Sequence, residues 1–343
     1  MALSIRHFLL GRCCCQRTIT SIRFYSSIPK DHVKPPSKVK WYFIDKFKHY
    51  IEGYEKFLGT KYPKIFGVYN TFKGGVHGLL SDTRMYYSVT LEMWRGTGLH
   101  NFSYRQLQVY RQMPHEMLKA TPLLVISALP LGGAIFAVAY FFPRLLLTTH
   151  FWTPKQRREF WSYDHKHRLH HLSSVFSGLK KHQKHIEDPE LGNRMKKIVQ
   201  KLQHSVHPTV TEILEVKPLF ESYTYAIQKL SLVQKRHLAK GLGLPLRKSG
   251  LIQDGLILLH TDRAMVREGI EKLTEEDIEQ ACFARGLNPI GLSRTERIQY
   301  LKQWTQISEE VDEDSISLLL HSPVFLAYNH PTNRGLIGRQ RFK

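Results

Sequence analysis

The sequence predicts an all-α protein: a single transmembrane helix followed by a helical, basic domain. Three observations predict it. From Ala120 to Pro143 the chain runs 24 residues without a charged side chain and is mostly apolar, and roughly 20 apolar residues in a helix cross a bilayer core. Elsewhere apolar residues recur three and four apart, and few runs alternate with period two. Near the C-terminal end, Thr274-x-x-Asp277 and Ser293-x-x-Glu296 have the spacing of helix capping boxes.

In chain order, the first element is an N-terminal leader. Arg6, Arg12, Arg17, Arg23 and Lys30 all precede the first acid, Asp31, and Ser and Thr are frequent. Basic, Ser-rich and acid-free is the pattern of a mitochondrial transit peptide, here residues 1–27. Cys13, Cys14 and Cys15 fall inside it and leave Cys282 alone. A disulfide framework and a cysteine zinc site are thereby excluded.

Residues 28–118 then read as a helical region. Ile44, Phe47, Ile51, Tyr54 and Leu58 form an apolar stripe at helical spacing. Residues 62–95 are aromatic and Gly-rich, with Lys73 and His77 inside, so they are not a second span. Ser103 is placed to cap a helix through Tyr104–Lys119, with a kink expected at Pro114. The span, 119–144, is flanked by Lys119 and Arg144. It contains Pro122, Pro130, Gly132 and Gly133 but no ionisable residue, which favours an anchor over an ion path. Basic residues are denser after it than before it. By the positive-inside pattern the C-terminal domain lies in the matrix and residues up to about 118 in the intermembrane space.

After the span, Phe141, Phe142, Phe151 and Trp152 read as an interfacial aromatic set. Thr153-Pro154 opens a helix, Thr as N-cap and Pro at the first helical position. Residues 145–330 form the matrix domain and 331–343 a flexible basic tail. Leu273 to Ile307 is a tight helix–loop–helix, broken by Arg285-Gly286 as a C-cap. The acidic run Glu309–Asp314 is not a calcium loop, because counting from Asp312 position 6 is Ser317 and position 12 is Pro323. It reads as a solvated helix start.

Asp262-Arg263, Glu268-Gly269-Ile270, Leu273, Ala281-Cys282, Arg285-Gly286-Leu287, Leu301 and Trp304 together form a pattern that resembles the matrix domain of the leucine-zipper/EF-hand transmembrane (LETM) family, its ribosome-binding domain. The chain ends at Lys343 without the coiled coils and EF-hand of the long members, and His150-Phe-Trp-Thr-Pro-Lys-Gln156 is similar to the short members. The resemblance implies a 14-3-3-like helical fold, association with mitochondrial ribosomes, and roles in inner-membrane structure and respiratory assembly. Part of the same segment, Leu273 to Leu301, also resembles small DNA-binding helix–loop–helix modules of SAP type.

The formal net charge is +21. The cations Arg194, Lys196, Lys197, Lys201, Lys235, Arg236, Lys240, Arg247, Lys248, Arg285, Arg294 and Arg297 are candidate anion-binding residues. Ribosomal RNA would be bound by neutralised phosphates, and anionic inner-membrane lipid would attract the same residues; solvated helix faces are the plainer alternative. A homo-oligomer is a further partner. His165, His167, His170 and His171 cluster on one helix, and a basic solvated face explains them better than a metal site. No nucleophile elbow or P-loop occurs, so the reading is a non-enzyme without cofactor or metal. It would support respiratory-chain biogenesis through ribosomes or assembly factors at the inner membrane. The alternative is a subunit or regulator of inner-membrane cation/proton exchange.

Overall fold

The structure is a computed structural model, and it describes residues 60, 63–127, 138–139, 141–221, 224–244 and 250–338. Every element among the described residues is a helix, and none is a strand. In order they are α1 (Pro63–Trp94), α2 (Tyr104–Ser127), the turn α3 (Pro143–Leu146), α4 (Pro154–His182), α5 (Pro189–Gln203), α6 (Val210–Glu215), α7 (Pro218–Glu221), α8 (Leu232–Leu242), α9 (Gly250–Glu268), α10 (Glu275–Ala284), α11 (Arg294–Glu310), α12 (Ile316–Leu326) and α13 (Pro331–Gly338). The leader, the stripe from Ile44 to Leu58 and the middle of the uncharged segment, 128–137, lie outside the described residues. Among those described, no helix is long and apolar enough to cross a membrane.

The core is built round α12, every residue of which is buried. A helix that is apolar on all sides has to be surrounded, and α12 is packed by α4, α9, α11 and α7. The amphipathic α5 buries an apolar stripe: Met195, Ile198 and Leu202 are buried and Lys196 and Lys197 are exposed. Helix starts follow the local chemistry. Thr153 Oγ1 accepts from Gln156 N at 3.3 Å while Gln156 Oε1 accepts from Thr153 N at 3.0 Å, and Ser293 and Glu296 make the same reciprocal pair. At Thr274 only half the motif forms. Thr274 Oγ1 accepts from Asp277 N at 3.1 Å but donates its own proton to the Asp277 carboxylate at 2.5 Å. Asp is one methylene shorter than the Glu that reaches back in a full box.

Several expectations are corrected. Within the region read as helical, the aromatic and Gly-rich residues form the long helix α1, Pro63–Trp94. Gly75 is required there by close approach: a Cβ would sit 2.5 Å from the Phe151 ring and 2.9 Å from the His150 carbonyl. Tertiary contact with 149–151 outweighs the low helix propensity of glycine. Trp152 is buried, not interfacial, and its indole donates to the Pro143 carbonyl at 3.1 Å. Glu309 and Glu310 end α11, while Asp312 heads a turn by accepting from Ser315 N at 2.8 Å. The acids therefore straddle two elements. The tail begins ordered: α13 is docked by Asn333, which is fully buried.

Residues 64 onward form one compact unit. Phe102, Tyr104 and Leu107 belong to the same core as α9 to α12. Tyr104 N donates to Glu268 Oε1 at 2.7 Å, and Arg267 donates to the carbonyls of His100 and Phe102, both at 2.6 Å. Burial of those aromatic and aliphatic side chains ties α2 to α9, and a sequence window cannot display that pairing.

Candidate functional site

The predicted cations divide sharply once placed. Arg285 is buried at 1% exposure against Asp262 at 0%. Its Nε donates to Asp262 Oδ1 at 2.8 Å, and its second terminal nitrogen bonds the same oxygen. Trp304 Nε1 donates to Asp262 Oδ2 at 2.8 Å, and Tyr300 donates its hydroxyl to the Arg285 carbonyl at 2.6 Å. Burial raises the Asp262 carboxyl, and Arg285, Trp304 and Arg111 offset it. Desolvation, then Arg285 and Arg168, pushes the Arg111 guanidinium down to about 10. This cluster holds α9, α10 and α11 together, and no anion reaches Arg285. Its candidacy is corrected: an arginine read as surface charge is the partner of a buried carboxylate, because α10 turns it inward.

Arg294 and Arg297 are likewise committed to structure. Arg294 donates to Glu275 Oε2 at 2.8 Å and to the carbonyl of Leu273 at 2.9 Å. Arg297 pairs with Glu275, with Glu279 at 3.2 Å, and with the Leu292 carbonyl at 2.6 Å. They lock the helix–loop–helix closed. Arg194 pairs with Glu190 at 2.5 Å and Glu215 at 3.3 Å, and Lys201 with Glu212 at 2.5 Å. Arg247 and Lys248 lie outside the described residues.

What remains is Lys196 and Lys197 on α5, and Lys235, Arg236 and Lys240 on α8. Lys196, Lys197, Arg236 and Lys240 are exposed, Lys235 is half-buried, and none has an ion-pair partner among the described residues. Helix α8 packs along α4, a close approach made at Gly241, where a Cβ would meet Leu172 at 2.7 Å. That packing brings the histidine cluster to the α8 cations. His171 Nδ1 lies 3.2 Å from His237 Nδ1, and His167 and His170 are exposed on the same helix. The His171 imidazole is held below its usual range by desolvation first, then by the charges of His237, Lys240, His170 and His167. All four groups acting on His171 are bases. His165, by contrast, points inward and bonds Asn333 Oδ1 at 2.9 Å, and burial pushes it down to about 4. The i, i+4 pair His167/His171 gains no third ligand, since no metal-holding group of three forms among the described residues.

Asn333 was not singled out from sequence. Its Oδ1 accepts from His165 Nε2 and from Asn288 N at 2.9 Å each, and its Nδ2 donates to the carbonyls of Gly286 at 2.8 Å and Ala327 at 2.7 Å. A lone Asn after His330-Pro331 carries no local signal of burial; only the polar apolar-run boundary at α12 could have suggested a docked segment beyond it.

A family model described as LETM1-like, RBD matches residues 102–325. The chain is 32% identical over 305 residues to LETM1 domain-containing protein 1 of Xenopus tropicalis, covering 87% of each protein. It is 30% identical over 312 residues to the Homo sapiens protein of that name, covering 88% of this chain and 87% of the relative. The Bos taurus protein matches at 30% over 316 residues. The matched span begins at Phe102, where α2 joins the core, and takes in the Asp262–Arg285–Trp304 cluster. The chain belongs to the LETM1-like family.

Proposed function

We propose that this protein is anchored in the mitochondrial inner membrane by its uncharged segment and binds mitochondrial ribosomes on the matrix side, so serving respiratory-chain biogenesis. The observation that carries the reading is the basic cluster at the α4–α8 junction: Arg236 and Lys240, exposed and without an ion-pair partner among the described residues, beside His167, His170 and the His171–His237 contact. Ribosomal RNA is a dense phosphate polymer, and cations without acid partners are those whose charge a phosphate can neutralise. Lys196 and Lys197 add charge on α5. Anionic inner-membrane lipid is the competing ligand for the same face.

The test is co-sedimentation of the full detergent-solubilised chain with mitochondrial ribosomes across a salt series. A fragment starting after the uncharged segment would lack Phe102, Tyr104 and Leu107 and expose the core they fill. Saturable binding that weakens steeply with salt is expected. Arg236→Ala with Lys240→Ala should flatten the log–log salt slope by about 0.7–0.9 per lost phosphate contact. Arg194→Ala and Lys201→Ala, already paired with acids, should change it far less. Binding that is absent at low salt, or equally sensitive to all four substitutions, refutes the assignment of this face. Cation–proton flux from reconstituted vesicles without ribosome binding would favour the exchange alternative.

A further inference from the structure

Tyr104, Gln108 and Arg111 lie four and three residues apart on α2 and share one face of it. That face is turned to α9 and α10. Helix α2 packs along α9, the Gln108 amide donates to Gln280 Oε1 of α10, and Tyr104 is buried at 3% exposure. Helix α4 lies against α10 as well. Arg158 pairs with Glu279 at 2.9 Å, and the rings of Trp161 and His165 stand 5.8 Å and 5.5 Å from that of Phe283. One turn further on, Arg168 donates to the Phe283 carbonyl at 3.3 Å. It also lies so close to Gly243 that a Cβ there would meet its guanidinium carbon at 2.6 Å. Two arginines therefore reach the C-terminal end of α10, one from α2 and one from α4, and the charges of Arg168 and Arg285 both bear on Arg111.

The acids nearby do not balance them. Among the described residues neither Arg111 nor Arg168 forms an ion pair. Arg111 donates no hydrogen bond there, Arg168 uses one of its donors, and the Tyr104 hydroxyl has no partner. Asp164, one turn before Arg168, is taken by Arg144 at 2.6 Å. Asp262 gives one oxygen to Arg285 and the other to Trp304. Asp254 is the remaining carboxylate that acts on Arg111, so three guanidinium groups face two carboxylates. Charge left unbalanced in a poorly solvated place works against folding. Yet both arginines are only half-buried, and the atoms sealed from solvent without a partner belong to other residues. The unused N–H groups thus open to a crevice that a small ion can enter.

We infer that this crevice is a binding site for a phosphate group, with Arg111 as the principal ligand and Arg168 and the Tyr104 hydroxyl completing it. The planar guanidinium fork matches two phosphate oxygens at once. Arg168 is held in place beforehand by the Phe283 carbonyl and the Gly243 backbone, so little ordering is left for the ligand to impose. The site is separate from the exposed cations of the α4–α8 junction and does not depend on ribosome binding. Inorganic phosphate and the headgroup of an anionic phospholipid offer the same chemistry.

The experiment is thermal unfolding of the full chain in a non-ionic detergent, with ionic strength held constant by chloride. Inorganic phosphate is titrated in one arm and a soluble short-chain phosphatidate in the other. A saturable rise in melting temperature is expected, about 5–10 °C at a hundredfold excess over the dissociation constant. Equal dissociation constants in the two arms assign the site to free phosphate, and tighter binding of phosphatidate assigns it to a lipid headgroup. Arg111→Met should abolish the rise. By removing an unbalanced charge it should also melt above the parent when no anion is added. Arg111→Lys, which keeps the charge and loses the fork, should bind about tenfold more weakly or worse. Arg84→Ala, at an exposed arginine of α1, should leave the rise unchanged. No rise in either arm overturns the inference, and so does a rise that Arg84→Ala reduces as much as Arg111→Met does. An Arg111→Met chain that melts below the parent without anion would make Arg111 a structural partner of Asp254 and overturn it too.

Discussion

Replacing Arg285 by Met keeps most of the side-chain volume and removes the charge that balances Asp262. In the parent, Asp262 is completely buried and is held by Arg285 and by the Trp304 N–H. Removing one partner of a buried pair typically costs about 3–5 kcal/mol, because the other charge is left in a low-dielectric site. Here the lower end applies: Arg111 also acts on Asp262 and remains. A loss of about 3 kcal/mol is therefore expected, a large part of the roughly 5–15 kcal/mol that folded domains possess. The assay is urea unfolding of the full chain in mild detergent, followed by far-ultraviolet circular dichroism. Two signatures separate this cause from simple loss of packing. Asp262 without Arg285 has its folded carboxyl raised further above its unfolded value, so the deficit shrinks as pH falls and the folded chain takes up the proton. The double variant Asp262→Leu/Arg285→Met should cost less than the sum of the single changes, by about 1.5 kcal/mol or more. A deficit under about 1 kcal/mol, or strict additivity, would show that the cluster is not a coupled buried pair and refute the reasoning.

Two further predictions follow from the same structure. Asn333→Ala strips partners from His165, from the Asn288 N–H and from the carbonyls of Gly286 and Ala327; at about 1–3 kcal/mol for each buried group left unpaired, a loss of about 3 kcal/mol or more is expected, read as a melting temperature lower by roughly 6–12 °C, and a shift under about 2 °C would mean that α13 contributes little. Acid should destabilise the fold before its carboxylates titrate: His165, His207 and His321 are each held down to about 4, by desolvation first. Their folded values lie below the unfolded one, so their contribution is complete above about pH 6.5 and declines as pH falls from there to about 4, by up to about 1.4 kcal/mol per unit for each group. A pH series of urea midpoints flat between those values would contradict the burial of these imidazoles.

Much of the fold was legible because it is written locally. The reciprocal boxes at Thr153 and Ser293, the Arg285-Gly286 stop and the α5 stripe depend on residues three or four apart, and a helix brings those together without outside help. The candidate face was legible only in part. Sequence gives the sign of Arg236, Lys240, Arg285 and Arg297 equally, yet two of these are exposed and two are consumed by acids on neighbouring helices.

The sequence by itself determined the helical class, the caps, the basic balance and the motif that marks the family. Tertiary structure alone decided which cations are available, that Gly75 is packed against Phe151, that Asn333 is buried, and that both ends of the uncharged segment rest on Trp152. The physical reason is one of range. Capping and periodicity act over one or two helical turns. Burial of a charge, close approach at a glycine and the return of a chain to its starting point are set by partners distant in sequence.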